Sequence, residues 1–120
     1  MKDMKMGMIE SRFADMIWEH EPVSVSELLR IGAEEFNWKR TTTYTVLKRL
    51  RDRGIFQNEG RVVTSLISRE EFYSLQSELF VEETFHGSLP AFVAAFTSRK
   101  KLTAEEAAEI RRLIDSYKEE

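Results

Sequence analysis

Hydroxyl and cationic side chains recur at helical spacing between Lys39 and Gly54. Threonine hydroxyls can bond phosphates or base edges, threonine methyls can touch thymine, and an arginine can contact guanine through two hydrogen bonds. These residue types point to contact with double-stranded DNA, whereas a solvated helix face is the plainer alternative. The side chains that fall on one helical face, opposite an apolar stripe or at its edges, are Thr41, Tyr44, Thr45, Lys48 and Arg49.

Positive charge is concentrated around this stretch although the whole chain carries a net charge of −3. Residues 39–61 contain seven Lys and Arg against two Asp and Glu, while residues 68–120 contain seven basic and eleven acidic residues. Phosphate attraction decays over a Debye length of about 8–10 Å at physiological salt, so a local basic patch can bind DNA in an acidic protein. Lys39, Arg40 and Arg61 therefore join the candidate DNA contacts.

The elements around this stretch predict a helix-turn-helix. Apolar residues at helical spacing predict helices over 9–19, 24–36 and 39–53. Ser24 and Glu27 match a capping box at the start of the second helix, with the serine accepting from the backbone and the glutamate reaching back. Because only a short turn separates the second and third helices, the third has the position of a recognition helix.

A β-hairpin is predicted directly after the recognition helix. Residues 55–58 are predicted as a short strand, and residues 61–67 are rich in the β-branched residues that favour strands. Glu59-Gly60 is predicted as the turn between them. Arg61 then lies close to the hairpin tip. A hairpin in this place is the wing of a winged-helix domain, although a simple edge that covers the core is the alternative and both can hold together.

Three amphipathic helices, beginning near Ser68, Ser88 and Thr103, are predicted after residue 67. The predicted fold is mainly α with a small β-hairpin: an N-terminal winged helix-turn-helix domain over residues 1–67 and a C-terminal three-helix dimerisation region over residues 68–120. About 50 residues are too few to bury their own phenylalanines, so we expect pairing with an identical chain, against the alternative of one monomeric core. The residues assigned to the dimer interface are Phe72, Leu75, Leu79, Leu89, Phe92, Val93, Phe96, Ile110, Ile114 and Tyr117.

The composition argues against an enzyme, a metal site or any cofactor. The chain has no cysteine and two histidines, His20 and His86, which are far apart in sequence. No nucleophile motif, phosphate loop or paired acid and base is visible. Without an apolar run of about 18 residues or a secretion signal, the expectation is a cytoplasmic protein with no membrane insertion.

Taken together, these residues resemble the penicillinase and methicillin-resistance repressors of the BlaI/MecI type, with the copper-responsive CopY repressors as relatives. The resemblance covers about 110 residues of the chain. It rests on four segments: the first helix from Phe13 to Glu19, the pattern Trp38, Thr42, Thr45, Leu47, Arg49, Leu50 and Gly54, the turn Gly60-Arg61-Val62, and the stretch from Phe85 to Phe96.

The resemblance implies a homodimeric winged-helix repressor that binds an inverted-repeat operator and blocks transcription. Each subunit would read one half-site, with half-site centres about 34 Å or a multiple apart. It also assigns Thr42, Thr45 and Arg49 to DNA binding. The alternative is a winged-helix adaptor that binds proteins without sequence-specific DNA binding.

Two departures from the family pattern concern release from DNA. The copper-responsive members use a cysteine cluster, which this chain lacks. In the β-lactam-responsive members, a membrane sensor-protease system leads to cleavage of an Asn–Phe bond, and the corresponding pair here is Ala95–Phe96. That pair is the candidate cleavage bond and such a system the candidate partner, whereas the helical spacing of Phe96 favours a packed side chain.

Overall fold

The computed structural model describes residues 6–118, which form six helices and one three-stranded antiparallel sheet. A helix-turn-helix followed by a hairpin confirms the predicted mainly α, winged-helix fold. In chain order the elements are α1 (Met8–His20), β1 (Val23–Ser24), α2 (Val25–Phe36), α3 (Arg40–Asp52), β2 (Phe56–Glu59), β3 (Val62–Ser65), α4 (Arg69–Phe85), α5 (Leu89–Arg99) and α6 (Ala104–Tyr117).

Two helix starts differ in how their capping side chains bond. At α6 both bonds are present: Glu106 N donates to Thr103 Oγ1 and Thr103 N donates to Glu106 Oε1, each at 3.0 Å. At α2, Ser24 Oγ accepts from Glu27 N at 3.1 Å, but the Glu27 carboxylate pairs with the Arg30 guanidinium one turn further on. The expectation that Glu27 reaches back is therefore wrong, because a charged donor at i+3 is a stronger partner. The hydrogen bond between the Glu27 and Arg30 side chains lowers the pKa of Glu27 and raises the pKa of Arg30.

Helices α2 and α3 approach each other closely at Gly32 and Thr43. A Cβ atom built on Gly32 would lie 2.3 Å from Thr43 Oγ1, so any larger residue at this position would overlap the threonine. The glycine does not end α2, which continues to Phe36 and closes at Asn37 with a left-handed φ of 55°. Trp38 N then donates to Gly32 O at 2.9 Å and completes the turn.

The hairpin turn lies one residue later than predicted. Glu59 pairs with Val62, so the two turn residues are Gly60 and Arg61, with φ values of 59° and 64°. Positive φ at both central residues matches the tight type I′ turn of two-residue hairpins. The sheet also gains a third strand that the sequence did not predict, because β1 pairs with β3 over only two residues.

Backbone contacts divide the chain after Ser77 into two compact units, whereas the sequence predicted a boundary after residue 67. The difference arises because the first turns of α4 pack on α1: the Trp18 ring lies 5.5 Å from the Phe72 ring, and Arg69 Nε lies 3.3 Å from Asp15 Oδ1. Phe72 is 1% exposed, which corrects its assignment to the dimerisation surface.

The buried apolar residues are Phe13, Ala14, Ile17, Val23, Val25, Leu28, Ile31, Val46, Leu47, Leu50, Ile55, Phe56, Val63 and Phe72.

The close contact between α2 and α3 yields a stability test. Gly32→Ala should lower the free energy of unfolding by about 1–2 kcal/mol, because overlap with Thr43 outweighs the better helix propensity of alanine. In a Thr43→Ala background the same change should be neutral or stabilising by up to about 1 kcal/mol. Urea denaturation followed by circular dichroism measures both. Equal effects in the two backgrounds would contradict this account of the contact.

Candidate nucleic-acid interface

Helix α3 buries one stripe and exposes a polar face. Thr43, Val46, Leu47 and Leu50 are buried and form this stripe. The side chains on the other sides of the helix are exposed, so the structure places together on one helix surface most of the residues that the sequence assigned to DNA. The exposed residues are Arg40, Thr41, Thr42, Tyr44, Thr45, Lys48, Arg49, Arg51 and Asp52.

The centre of this face carries hydrogen-bonding groups that are held along the helix. Thr45 Oγ1 donates to Thr41 O at 2.9 Å, which leaves its methyl group and its acceptor lone pairs for a base edge. Lys48 Nζ lies 2.8 Å from Asp52 Oδ2, and the two side chains are 66% and 57% exposed. Such an exposed pair is weak, so a phosphate can replace the carboxylate.

One flank of α3 is tied to α1 through a carboxylate that sequence reasoning missed. Glu10 lies 3.0 Å from Arg49 Nη1 and 2.7 Å from Arg53 Nη1. The positive charge counted over residues 39–61 is therefore partly offset by a residue outside that window. No local signal could reveal this, since the helical pattern shows which face Arg49 occupies but not which neighbour it meets.

The amino-terminal end of α3 is fixed by aromatic packing. The Trp38 ring stacks on Phe36 with centroids 4.8 Å apart and lies 5.1 Å from the ring of the buried Phe13. Lys39 is the N-cap residue and makes no side-chain capping bond, and the first turn contains no acidic residue. The helix thus presents backbone N–H groups and the positive end of its dipole at a place where a phosphate can bind.

The other flank of α3 borders the hairpin. A groove of about 210 Å³ between them has an apolar floor of Leu47, Phe56 and Val63. Tyr44, 39% exposed, and Lys48 lie along it, together with three residues absent from the predicted set: Arg51, Gln57 and Asn58. Helical spacing alone could have placed Arg51 beside Tyr44, but the two hairpin residues meet α3 only through the fold.

The wing is short and attached at its tip. Its two four-residue strands are joined by Gly60 and Arg61, and Arg61 O accepts from Val25 N at 3.0 Å. The Arg61 side chain is exposed. The backbone of the tip is therefore held against the start of α2, while the guanidinium remains accessible to a phosphate.

The second unit, from Glu78 onward, buries none of its described side chains. Its rings form a loose cluster in which Phe92 lies 5.9 Å from Phe80, 5.6 Å from Phe85 and 6.3 Å from Phe96. Of the predicted dimerisation residues, Leu79 and Phe92 are half-buried, and Leu75 lies in the first unit with 37% exposure. The exposed remainder are Leu89, Val93, Phe96, Ile110, Ile114 and Tyr117.

The candidate cleavage bond lies inside a helix. Ala95 and Phe96 belong to α5, and Phe96 O accepts from Lys100 N at 3.1 Å. Phe96 is 48% exposed, so it is not a packed core residue of the single chain. A protease that needs an extended substrate would have to open this helix locally.

Neither a metal nor a membrane-spanning helix is indicated among residues 6–118. No cluster of three or more His, Asp or Glu side chains in that range could hold a metal ion. None of the helices there is both long and apolar enough to cross a bilayer.

Comparison with known proteins identifies a family. A sequence model of the penicillinase repressor family matches residues 6–116, nearly the whole chain. None of the curated proteins compared with the chain matches it significantly. Members of the matching family are DNA-binding transcriptional repressors and not enzymes.

The aromatic packing before α3 can be tested by substitution. Trp38→Ala should lower the free energy of unfolding by about 2–3 kcal/mol, because it removes the ring stacked on Phe36 and beside Phe13. Trp38→Phe, which keeps an aromatic ring, should lower it by less than about 1.5 kcal/mol. Urea denaturation compares the variants. Wild-type stability in the alanine variant would show that the ring does not hold the start of α3.

Proposed function

Since the chain belongs to the penicillinase repressor family, we propose that it represses transcription by binding an inverted-repeat operator as a homodimer. Each protomer would place α3 in the major groove of one half-site. The observation that carries the proposal is the polar, uncovered surface of α3, with Thr41, Thr45 and Lys48 at its centre and basic side chains on both flanks.

The roles proposed for these residues follow from their chemistry. Thr41, Thr42 and Thr45 suit base edges and nearby phosphates, because their hydroxyls are short and their methyl groups can contact thymine. Arg49 is proposed to read a base, while Lys39, Arg40, Lys48 and Arg61 are proposed phosphate contacts. Tyr44 and Arg51 line the groove beside the hairpin and are proposed to contact the sugar-phosphate backbone.

Pairing of two chains is supported by the unsatisfied apolar surface of the second unit. Ile114 and Leu89 are each 57% exposed, and Phe96 is 48% exposed. A stable unit normally buries such side chains, and an identical chain offers a self-complementary apolar surface. We therefore propose that α5 and α6 form most of the dimer interface and that residues from Glu78 onward form the dimerisation unit.

Release from the operator by proteolysis is a further part of the proposal and rests on the family resemblance. Cleavage at Ala95–Phe96 would separate α6 from the DNA-binding unit. A cut chain would lose Ile110 and Ile114 from its dimer surface, and its half-site binding would weaken. A cytoplasmic location and a membrane sensor-protease partner belong to the same proposal.

DNA binding can be measured with duplexes that the wild-type chain selects from a randomised pool and with scrambled duplexes of equal composition. Arg49→Ala should weaken binding to the selected duplex by about 1–3 kcal/mol and reduce its preference over the scrambled one. Lys48→Gln should weaken both equally and lower the salt slope by about one unit. Lys101→Gln, an equal charge change outside the α3 surface, is the control. A wild-type chain without sequence preference would favour the adaptor alternative.

The dimer can be tested by light scattering after size-exclusion chromatography. Ile114→Glu should convert the dimer into a monomer, because a charge would have to be buried without a partner. Leu66→Glu is the matched control, since Leu66 is 52% exposed and lies in the first unit, whereas Ile114 is 57% exposed. An unchanged mass for Ile114→Glu, or a monomeric wild-type chain at micromolar concentration, would refute this interface.

A further inference from the structure

A single carboxylate on α1 bridges Arg49 on α3 and Arg53, the residue directly after this helix. Glu10 Oε1 lies 3.0 Å from Arg49 Nη1, and Glu10 Oε2 lies 2.7 Å from Arg53 Nη1. The side chains of Glu10 and Arg53 are 16% and 20% exposed, whereas that of Arg49 is 57% exposed. The carboxylate therefore has one inner partner and one outer partner.

The two partners have different consequences. The pair with Arg53 is largely shielded from solvent and keeps the Glu10 side chain in place. Arg49 lies one helical turn earlier and projects to the surface. Because Arg53 already orders the carboxylate, fixing Arg49 against it loses less side-chain entropy than an isolated surface pair would lose.

The contact with Arg49 uses one nitrogen of the guanidinium. Arginine carries five N–H donors in a rigid planar fork, so a carboxylate at Nη1 restricts the orientations that the group can adopt. The N–H donors on Nε and Nη2 lie in the same plane and are a second pair. Such a planar pair of donors can bond the two acceptors of a guanine edge. At the same time, the negative charge of Glu10 repels phosphates near this flank.

We propose that Glu10 is a positioning residue for sequence reading: it orients Arg49 for a base edge and lowers the attraction of α3 for DNA in general. It thus raises the ratio of sequence-specific to non-specific binding. This inference rests on the proposed DNA binding, and its test uses the same selected and scrambled duplexes.

Glu10→Asp separates position from charge. Aspartate keeps the charge but is one methylene shorter, so it cannot span both arginines in the same way. Preference for the selected duplex should fall about two- to tenfold, the range for losing the order of one long side chain, while affinity for the scrambled duplex stays unchanged. Glu10→Gln should lower the preference similarly and also strengthen binding to the scrambled duplex.

Three further variants test whether Glu10 acts through Arg49. Glu34→Gln removes an exposed carboxylate of α2 that pairs with Arg30, and it should leave the preference unchanged. Arg53→Gln removes the inner partner that keeps Glu10 in place, so it should also lower the preference, by no more than Glu10→Asp does. In an Arg49→Ala background, Glu10→Asp should have no effect on the preference.

Failure of the positioning role and failure of the proposed function give different results. If Glu10→Asp changed the affinities for the selected and scrambled duplexes equally, or raised the preference for the selected one, the positioning role would be overturned. The proposed function would still stand if the wild-type chain binds its selected duplex specifically. A lowered preference that persists in the Arg49→Ala background would also overturn it. A wild-type chain that binds both duplexes equally would instead refute the proposed function. Circular dichroism melting confirms that each compared variant is folded, and Glu10→Asp retains the charge opposite Arg53 if Glu10→Gln unfolds.

Discussion

The close contact between Gly32 and Thr43 determines which side of α3 is available for recognition. Because Gly32 on α2 has no side chain, the backbones of α2 and α3 approach until Thr43 occupies the space that a Cβ atom would need. With Thr43 held there and Leu50 two turns later in the core, the helix cannot rotate about its axis. Thr41, Thr45 and Lys48 must then remain outside. The polar surface is a consequence of how the apolar stripe packs.

Features that depend on neighbours in sequence could be predicted, and features that depend on distant neighbours could not. The helix limits follow from periodicity and from caps such as Thr103, where donor and acceptor are three residues apart. The strand β1 has two residues and exists only because β3 lies beside it. Phe72 has the spacing of an interface residue, but the Trp18 ring on α1 covers it. Only the folded chain distinguishes a core from an interface.

The candidate site shows the same division. Helical spacing was sufficient to identify the exposed side chains of α3, because a helix surface repeats every 3.6 residues. It could not identify what those side chains contact: Glu10 is 39 positions from Arg49, and Gln57 meets the groove beside Tyr44 through the hairpin. The charge counted along the sequence consequently overstated the positive charge around α3, since one carboxylate from α1 pairs with both Arg49 and Arg53.

In the proposed dimer, the contrast between the two units would make DNA binding depend on assembly. The first unit buries a full apolar core within one chain, while the described residues from Glu78 onward bury no side chain. In the proposed dimer, the free energy that orders α5 and α6 would come mainly from the partner, so the second unit would be ordered only where chains pair. When one protomer of a dimer binds its half-site, the second protomer is held at a high effective concentration near the other half-site, which raises the affinity for the whole operator. A monomer binds one half-site without this gain. Any event that removes α6 would thus weaken operator binding without touching α3.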